Sequence, residues 1–415
     1  MSRFYEIIIS DPKNGDIFVP NIQGKPGFSR QKAGSGAVTY SSLYSGTNPM
    51  KLGSANANAQ QIELVIPVGV LHQPIGNSYV KIFGVSLQEI AQWANLSHMN
   101  FFIRGGMSKG LPLANPTQIG PLASGQILQC FGNWIGTEQS LNFYVQAGGS
   151  SALSNQTTGN PATADTLPLP STNKKSSHIV FQWLPGQHLM DAIKSCLSAP
   201  FPQYQISGSI SPNLVWTGTA ATGFYAKLSQ FAQYINKATI NLIGGYAPDI
   251  QAYPGVMLAL HGNTILVSDC TTKTKPKQLQ IQDLIGQPTL VAPFEIQATV
   301  ALRGDISPLD YVTLPLGQMG LSNTSQSSFV PPPNIGGINT NANVNAKNSS
   351  VYTGSFLVTE VCHVGRSRQA DGASWVTTIN MLMSQPADTT STVAALPVVQ
   401  TQNTNAYEFY LPGKS

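Results

Sequence analysis

The chain has 415 residues, of which only 10% are charged, and its formal net charge is +4. A chain of this length usually divides into several domains, and its scattered positive charge, without a run of Lys or Arg, excludes the basic patch that sequence-specific nucleic-acid binding requires. A polar surface with so few charges lacks the repulsion that keeps monomers apart, which favours a protein buried in an assembly.

The N-terminal segment MSRFYEIIISDPKNG predicts a first β-strand followed by an Asn-Gly turn. Its apolar run is shorter than the core of a signal peptide, and no stretch reaches the roughly 18 apolar residues that a transmembrane helix needs. We therefore expect a soluble chain that is not exported by this route and does not insert into a membrane.

A β-rich region with one helix follows. Apolar and polar residues alternate between Gly and Pro residues, which predicts strands at 62–66, 80–83, 101–105, 126–134 and 140–146. The segment SLQEIAQWANL predicts a short helix that begins with a capping box of Ser86 and Glu89. The residues of its apolar face are Leu87, Ile90, Ala91 and Ala94.

Residues 147–177 are rich in Ser, Thr, Asn, Gly, Pro and Ala, which predicts a long loop. Beyond it, HIVFQWLP predicts a strand, and QYQISGSI and NLVWTG predict a strand pair. One helix is predicted at 187–197, and a second after the capping residue Thr222. Their apolar faces are Leu189, Ala192, Ile193, Cys196 and Leu197 in the first, and Phe224, Leu228, Phe231, Ala232 and Ile235 in the second. We expect a small α/β domain whose two helices cover one face of a sheet.

The rest of the chain is β-rich again. A hairpin about Gly262 and Asn263 is predicted in GVMLALHGNTILVSD, and further strands in FEIQATVALRGD and YVTLPL. Residues 318–350 form a second low-complexity insertion, and a polar tail begins at Pro386. Between them, residues 355–381 predict two strands joined by the polar turn GRSRQADGAS, with Trp375 as a packing residue at the start of the return strand.

The most reactive residue types lie in that last hairpin, where Cys362 and His363 are adjacent, near Glu360. Neighbouring residues of a strand point to opposite faces, so the two side chains cannot act as a catalytic pair on one strand. Strict alternation places Cys362 with Phe356, Val358 and Val364, and His363 with Leu357, Thr359 and Val361. This pattern predicts a buried thiol with a structural role.

Other candidate chemistry has simpler explanations. Cys130, Cys196, Cys270 and Cys362 form no C-x-x-C pair and are expected to be reduced. The histidines show no metal-ligand spacing, and the sequence has no G-x-S-x-G elbow and no phosphate-binding glycine motif around Gly105 and Gly106, where we expect a bulge or turn. Turn or cap positions suit Asp269, Asp305 and Asp310, and the tripeptide Arg303, Gly304, Asp305 is expected to be a turn and not an integrin-binding signal. We predict that the chain is not an enzyme and assign no catalytic, cofactor-binding or metal-binding residue.

The order of these elements resembles the baseplate hub proteins of contractile bacteriophage tails, the late-control D-like family. The segments that carry the resemblance are GGMSKGLPL, QIGPLASGQILQCFGNW, LPGQHLMDAIKSCLS, FYAKLSQFAQYIN, and above all FEIQATVALRGDISPLDYVTLP and SFLVTEVCHVGRSRQADGASWVTTINM. The resemblance implies an α+β, mainly β fold, with tube-like β-barrel domains at 1–146 and 249–385 on either side of the small α/β domain at 178–248. The segments at 147–177, 318–350 and 386–415 would be a loop, an insertion and a tail.

The resemblance also implies a function. Three copies would form a ring that adapts the sixfold tail tube to the threefold central spike, with a lumen through which DNA passes without specific binding. The implied partners are two further copies of the chain, the tail tube protein, the central spike protein and other baseplate proteins. The protein would be a virion component of the tail baseplate, assembled in the cytoplasm of the bacterial host.

Two other functions fit the residues. A phage receptor-binding or carbohydrate-binding β protein would use exposed aromatic rings, for which the candidates are Trp134, Trp216 and Trp375 among Asn- and Ser-rich loops. An enzyme built on Cys362 and His363 is the third hypothesis, and it would need a partner residue from another segment.

Overall fold

The computed structural model describes residues 3–12, 14–20, 27–44, 55–72, 77–107, 116–147, 179–198, 200–201, 204–212, 214–216, 220–225, 228–244, 254–261, 264–270, 275–292, 295–315 and 355–383. These residues form a mainly β structure with a few helices, which confirms the predicted fold class. Within these ranges no helix is long and apolar enough to cross a membrane. The predicted insertion at 318–350, the tail, the turn at Gly262 and Asn263, and the predicted loop apart from Ala147 lie outside them.

The N-terminal part of the chain confirms the predicted strands and places one short helix among them. The strands are β1 (Arg3–Ser10), β2 (Ile17–Pro20), β3 (Phe28–Gln31), β4 (Tyr40–Ser41), β5 (Gln61–Gly69), β6 (Ser78–Phe83), β7 (Asn100–Met107), β8 (Gly120–Ile135) and β9 (Glu138–Ala147). In β5, Ile62, Leu64 and Ile66 are buried, whereas Glu63 and Val65 between them are not. This period of two puts one face of the strand in the core.

Helix α1 (Leu87–Ala91) is shorter than predicted. Its capping box is present, since the Ser86 side chain accepts a hydrogen bond from the Glu89 amide and the Glu89 carboxylate accepts one from the Ser86 amide. After five residues the chain tightens into a 3₁₀ turn, Trp93–Leu96. The change of helix type shifts the direction of the following side chains. Of the four residues predicted for the apolar face, Ile90 packs against an apolar cluster of the sheet, whereas Leu87, Ala91 and Ala94 are exposed and Glu89 and Leu96 are buried.

The middle of the chain forms an α/β unit with its own apolar cluster. Its elements are β10 (Ile179–Trp183), α2 (Leu189–Ser198), β11 (Gln205–Ser209), β12 (Ala221–Tyr225), α3 (Leu228–Gly244), β13 (Met257–His261) and β14 (Thr264–Ser268). The five residues predicted for the apolar face of α2 are all buried. Strand β14 pairs with β11 in parallel and with β13 in an antiparallel hairpin, as predicted for the hairpin.

Two expectations for this unit were wrong. QYQISGSI and NLVWTG do not pair with each other: β11 takes β14 as its partner, and Val215 of NLVWTG forms an isolated bridge with His188. Thr222 and Phe224 belong to β12 and not to a helix, because Phe224 pairs across the sheet with Val180. Helix α3 begins only at Leu228. Pairing with a distant strand has overridden the local helical spacing.

The remaining strands complete a large sheet. They are β15 (Lys277–Gln278), β16 (Thr289–Ala292), β17 (Glu295–Ala301), β18 (Tyr311–Thr313), β19 (Ser355–Arg366) and β20 (Trp375–Met383). The neighbours along this sheet run β16-β17-β20-β19-β5-β6-β9-β8-β7-β1-β2-β3. The hairpin predicted for residues 355–381 is present as β19 and β20.

The sheet contains the same strand arrangement twice. Strands β5 to β9, here repeat A, are ordered β5-β6-β9-β8-β7, and strands β16 to β20, here repeat B, are ordered β16-β17-β20-β19-β18. All pairs within both repeats are antiparallel. Each repeat has its own apolar cluster. The repeats join where β19 of repeat B pairs with β5 of repeat A, so one hydrogen-bonded sheet runs through both.

Candidate functional site

Cys362 and His363 point to opposite faces of β19, as predicted, but each lies on the face that was predicted for the other. A β-bulge between Val358 and Glu360 adds one residue to the strand. The alternation is therefore inverted beyond it. His363 is buried with Val361, whereas Cys362 lies half-buried on the outer face with Val364. The expectation of a buried thiol that shares a face with Phe356 and Val358 was wrong for this reason.

The surroundings of the two residues suit packing. The Nδ1 atom of His363 lies 2.9 Å from Thr377 Oγ1. Burial lowers the pKa of His363 to about 3. Burial, and then the nearby Glu360, raises the pKa of Cys362, which keeps its thiol protonated. In this arrangement the imidazole cannot act as a base for the thiol, because the sheet separates them.

The tripeptide of Arg303, Gly304 and Asp305 faces inward. The Arg303 guanidinium is buried and donates to Asp305 through two hydrogen bonds of 2.7 Å each, from Nε to Oδ1 and from Nη2 to Oδ2. A third contact of 3.3 Å joins its Nη1 atom to Oδ2 of the buried Asp283. Because the guanidinium is enclosed, the tripeptide cannot present itself to a receptor. Its buried ion pairs with Asp283 and Asp305 stabilise the loop that follows β17 in repeat B.

The other predicted turn and cap residues have backbone partners. Asp310 accepts a 2.7 Å hydrogen bond from the Ser307 amide and contacts Lys277 Nζ at 2.6 Å. Asp269 accepts one of 2.7 Å from the Ser211 amide. At Gly105 and Gly106 the ladder between β7 and β8 shifts register close by, between Ile103 and Arg104, as expected for a bulge. In the described part of the chain, no group of three or more His, Cys, Asp or Glu residues could hold a metal ion.

Side-chain contacts hold the two repeats together in addition to the strand pairing. Trp375 of β20 packs in the apolar cluster of repeat A, and its indole N–H donates to the Gly106 carbonyl at 3.0 Å. At the other end of the chain, Arg3 Nη2 donates to the Asp371 carbonyl at 2.8 Å. Both contacts tie the end of the hairpin of β19 and β20 to β7 and β1. The joint between the repeats is therefore a packed interface and not a hinge.

A close backbone approach adds to this joint. The Gly304 amide donates to the Gln118 carbonyl at 2.9 Å, and Gln118 Nε2 donates to Asp283 Oδ1 at 3.0 Å. A Cβ atom added at Gly304 would lie 2.5 Å from the carbonyl carbon of Gly120. Only a residue without a side chain fits at either position. No sequence pattern predicted this contact, apart from the presence of the two glycines.

One face of the large sheet that runs through both repeats points away from the apolar clusters and is here called the open face. It is polar and nearly neutral. It includes Glu63, Val65, Tyr79, Lys81, Gln129, Phe131, Asn133, Tyr144, Gln297, Thr299, Glu360, Cys362, Val364, Arg366, Thr378 and Asn380. Two basic groups of this face lie near acids: Arg366 Nε is 3.7 Å from Glu63 Oε1, and Arg104 Nη1, on β7, is 3.5 Å from Oε1 of Glu6 on β1. Lys81 Nζ lies over the Phe83 ring, 4.2 Å from its centroid. The face therefore offers little uncompensated charge to a polyanion.

The candidate aromatic ligands for a sugar do not lie together on the surface. Trp134, at the tip of the β8–β9 hairpin, is 62% exposed. Trp216 and Trp375 are only 3% and 2% exposed, so neither is the surface ring that the alternative function needs, and the prediction of Trp375 as a packing residue is confirmed. Trp216 packs on Trp183 in the middle unit, with ring centroids 5.0 Å apart. Their apolar rings fill cores, which is the commoner use of Trp.

Comparison with known proteins finds no matching family model and no matching curated protein. Solved structures match the chain at a low level of similarity, among them the following three. The 43 kDa tail protein of prophage MuSo2 from Shewanella oneidensis is 9% identical over 81% of this chain and 98% of its own, with a TM-score of 0.40. The tail protein from Neisseria meningitidis MC58 is 10% identical over 80% and 94%, with a TM-score of 0.39.

The third solved structure is the PdpA–VgrG complex in its lidless form. Its matched chain is 8% identical, with a TM-score of 0.36, over 92% of this chain and 64% of its own. Identities and TM-scores at this level support no statement about function.

Proposed function

We propose that the chain is a structural protein of a bacteriophage tail, a baseplate hub whose three copies form a ring. The observation that carries the proposal is the double strand arrangement. Each chain holds two strand groups of the same order in one continuous sheet, so three chains carry six such groups. A ring of this kind is sixfold toward one neighbour and threefold toward another, because the remaining parts of the chain occur once per copy.

In this proposal the two repeats are the walls of two tube-like β-barrel domains, and the open face lines the lumen. Lumen walls with paired charges let DNA pass without holding it. The partners are the tail tube protein, the central spike protein and other baseplate proteins. The protein belongs to the virion, in the tail baseplate of a contractile tail, and it is assembled in the host cytoplasm. It has no catalytic role.

The rigid joint supports the same proposal. A symmetry adapter must hold its two repeats at a constant angle, and the buried Arg303 network, Trp375 and the contact of Gly304 with Gly120 do this within one chain. Receptor or carbohydrate binding is the alternative function. It depends on Trp134, since the other two candidate rings are buried, and we favour the hub.

The oligomeric state tests the proposal. Light scattering on the purified full chain, alone and mixed with the tube and spike proteins of the same phage, should show a species with three copies of the chain in at least one of these samples. A chain that stays a monomer with both neighbours present would overturn the proposed function.

A further inference from the structure

We propose that the second half of β8, residues 129–135, pairs in antiparallel fashion with β16 of a second copy of the chain. The partner is thus another copy, and the contact repeats the one that β19 makes with β5 inside each chain. The inference rests on the proposed ring and says which strands close it.

The β8–β9 hairpin of repeat A and the β19–β20 hairpin of repeat B are built alike. In repeat B, β19 carries its bulge between Val358 and Glu360, and in repeat A, β8 carries one between Ile127 and Gln129. In both cases the part of the strand before the bulge pairs with the third strand of its own repeat, β18 or β7. The bulges therefore mark the same position in both repeats.

The two strands differ in what lies beyond the bulge. Residues 360–366 of β19 pair with β5, on the side away from β20. Residues 129–135 of β8 pair with β9 on one side, and among the described residues no strand pairs with them on the other. At the far end of the sheet, β16 is the counterpart of β5, and its outer side also has no strand partner in the described ranges. One chain thus carries both halves of the contact that joins its own repeats.

Such edges are complementary and not alike, so they form a head-to-tail contact between copies. Exposed strand edges are otherwise a liability, since they invite pairing with any other strand. Apolar side chains lie exposed at these two edges: Trp134, 62% exposed, within residues 129–135 of β8, and Val291, 53% exposed, on β16. Covering both edges would bury these side chains.

The register follows from two rows of directly opposed residues. Repeat A contains the row Val65, Tyr79, Tyr144, Gln129, and repeat B contains the row Thr289, Gln297, Asn380, Glu360. Gln129 and Glu360 are each the first paired residue after the bulge. Within the chain, Val364, four residues after Glu360, pairs with Val65. By the same geometry, Asn133, four residues after Gln129, should pair with Thr289 of the second copy.

A cysteine pair tests this register. Asn133→Cys combined with Thr289→Cys should give disulfide-linked dimers and trimers on mild oxidation, because directly opposed residues are close enough for a disulfide. The matched control is Gln129→Cys with Thr289→Cys, which lies four residues out of register, or about 13 Å. Each single variant measures the background from the native Cys270 and Cys362. Equal cross-linking in both pairs, or none in either, would overturn the proposed register.

A second variant separates this inference from the ring itself. Trp134→Lys should reduce trimer formation, whereas Phe224→Lys, at a 71% exposed apolar residue on β12, should leave it unchanged. If trimers form but neither the cross-link nor the effect of Trp134→Lys is seen, the strand pairing is wrong and the hub proposal survives. If the native chain forms no trimer with its neighbours, the proposed function itself fails.

Discussion

His363 is a neutral imidazole enclosed in the core of the joined sheet, 2% exposed and 2.9 Å from the Thr377 hydroxyl. Burial lowers its pKa from the ordinary value of 6.5 to about 3. Protonation inside the core would leave an unpaired buried charge, so the native state resists it. The residue therefore links the stability of the fold to pH without taking part in chemistry.

We predict that the free energy of unfolding falls as the pH drops below about 6.5. In this range the unfolded chain binds a proton at His363 and the native chain does not, so acid favours unfolding. At pH 5 the loss from this residue is about 2 kcal/mol, at about 1.36 kcal/mol per pH unit below the unfolded pKa. Urea unfolding at pH 7.5 and pH 5 should show a smaller pH-dependent loss in His363→Gln than in the native chain.

Carboxylates titrate in both proteins, so only the difference between the two pH dependences counts. Equal losses in the native chain and in His363→Gln would contradict a buried neutral histidine.

For single residues, the sequence predicted the opposite directions of Cys362 and His363 but not which of them is buried. Alternation along a strand has a period of two, and one extra residue inverts everything after it. The bulge next to Glu360 depends on pairing with β20. The residues of β19 alone do not contain that information.

Among the elements, the contact between the Gly304 loop and the start of β8 decides how the two repeats meet. We predict that Gly304→Ala lowers the stability by about 1–3 kcal/mol or more, as overpacking of a close contact does. The added methyl group would meet the backbone of Gly120, which cannot rotate away. Thermal unfolding measures the effect.

Gly372→Ala is the matched control, because a Cβ atom there would meet nothing within 4 Å. It should be close to neutral. A Gly304→Ala protein as stable as this control would show that the two repeats are free to move apart at this point.

Most strands and both longer helices could be predicted because their alternation or helical spacing is local. The errors lie where a distant partner decides. Phe224 shows helical spacing with Leu228, yet it belongs to a strand because Val180 lies opposite it. Likewise, Ala94 is exposed and Leu96 is buried, because the chain tightens into a 3₁₀ turn after α1 and the face that meets the sheet changes there.

At the scale of the whole molecule, the sequence indicated β-rich ends around a helical middle, but the repeated strand order was visible only from the pairing. Repeats A and B share an arrangement without an evident shared motif. The joint between β5 and β19 links segments almost 300 residues apart in the chain. Periodicity within a segment predicts a strand and its faces but does not identify its partner.

The open face permits a prediction about DNA. Wild-type protein should bind duplex DNA only weakly, since Arg104 and Arg366 lie near Glu6 and Glu63 on this face. Glu6→Gln combined with Glu63→Gln should release both guanidinium groups and strengthen non-specific binding at low salt. Two new phosphate contacts would make the negative slope of log affinity against log salt concentration steeper by about 1.8.

The matched control removes two carboxylates elsewhere, with Glu138→Gln at the exposed hairpin tip and Asp191→Asn on the exposed side of α2. Both double variants raise the net charge by the same amount. Fluorescence anisotropy of a labelled duplex therefore shows whether DNA affinity depends on where the carboxylates are removed or only on the net charge. Tighter binding by the open-face variant alone is expected if that face lines the lumen, because a ring concentrates its charges around the duplex. Equal affinities would mean that the net charge alone sets binding and that the open face is not where DNA passes.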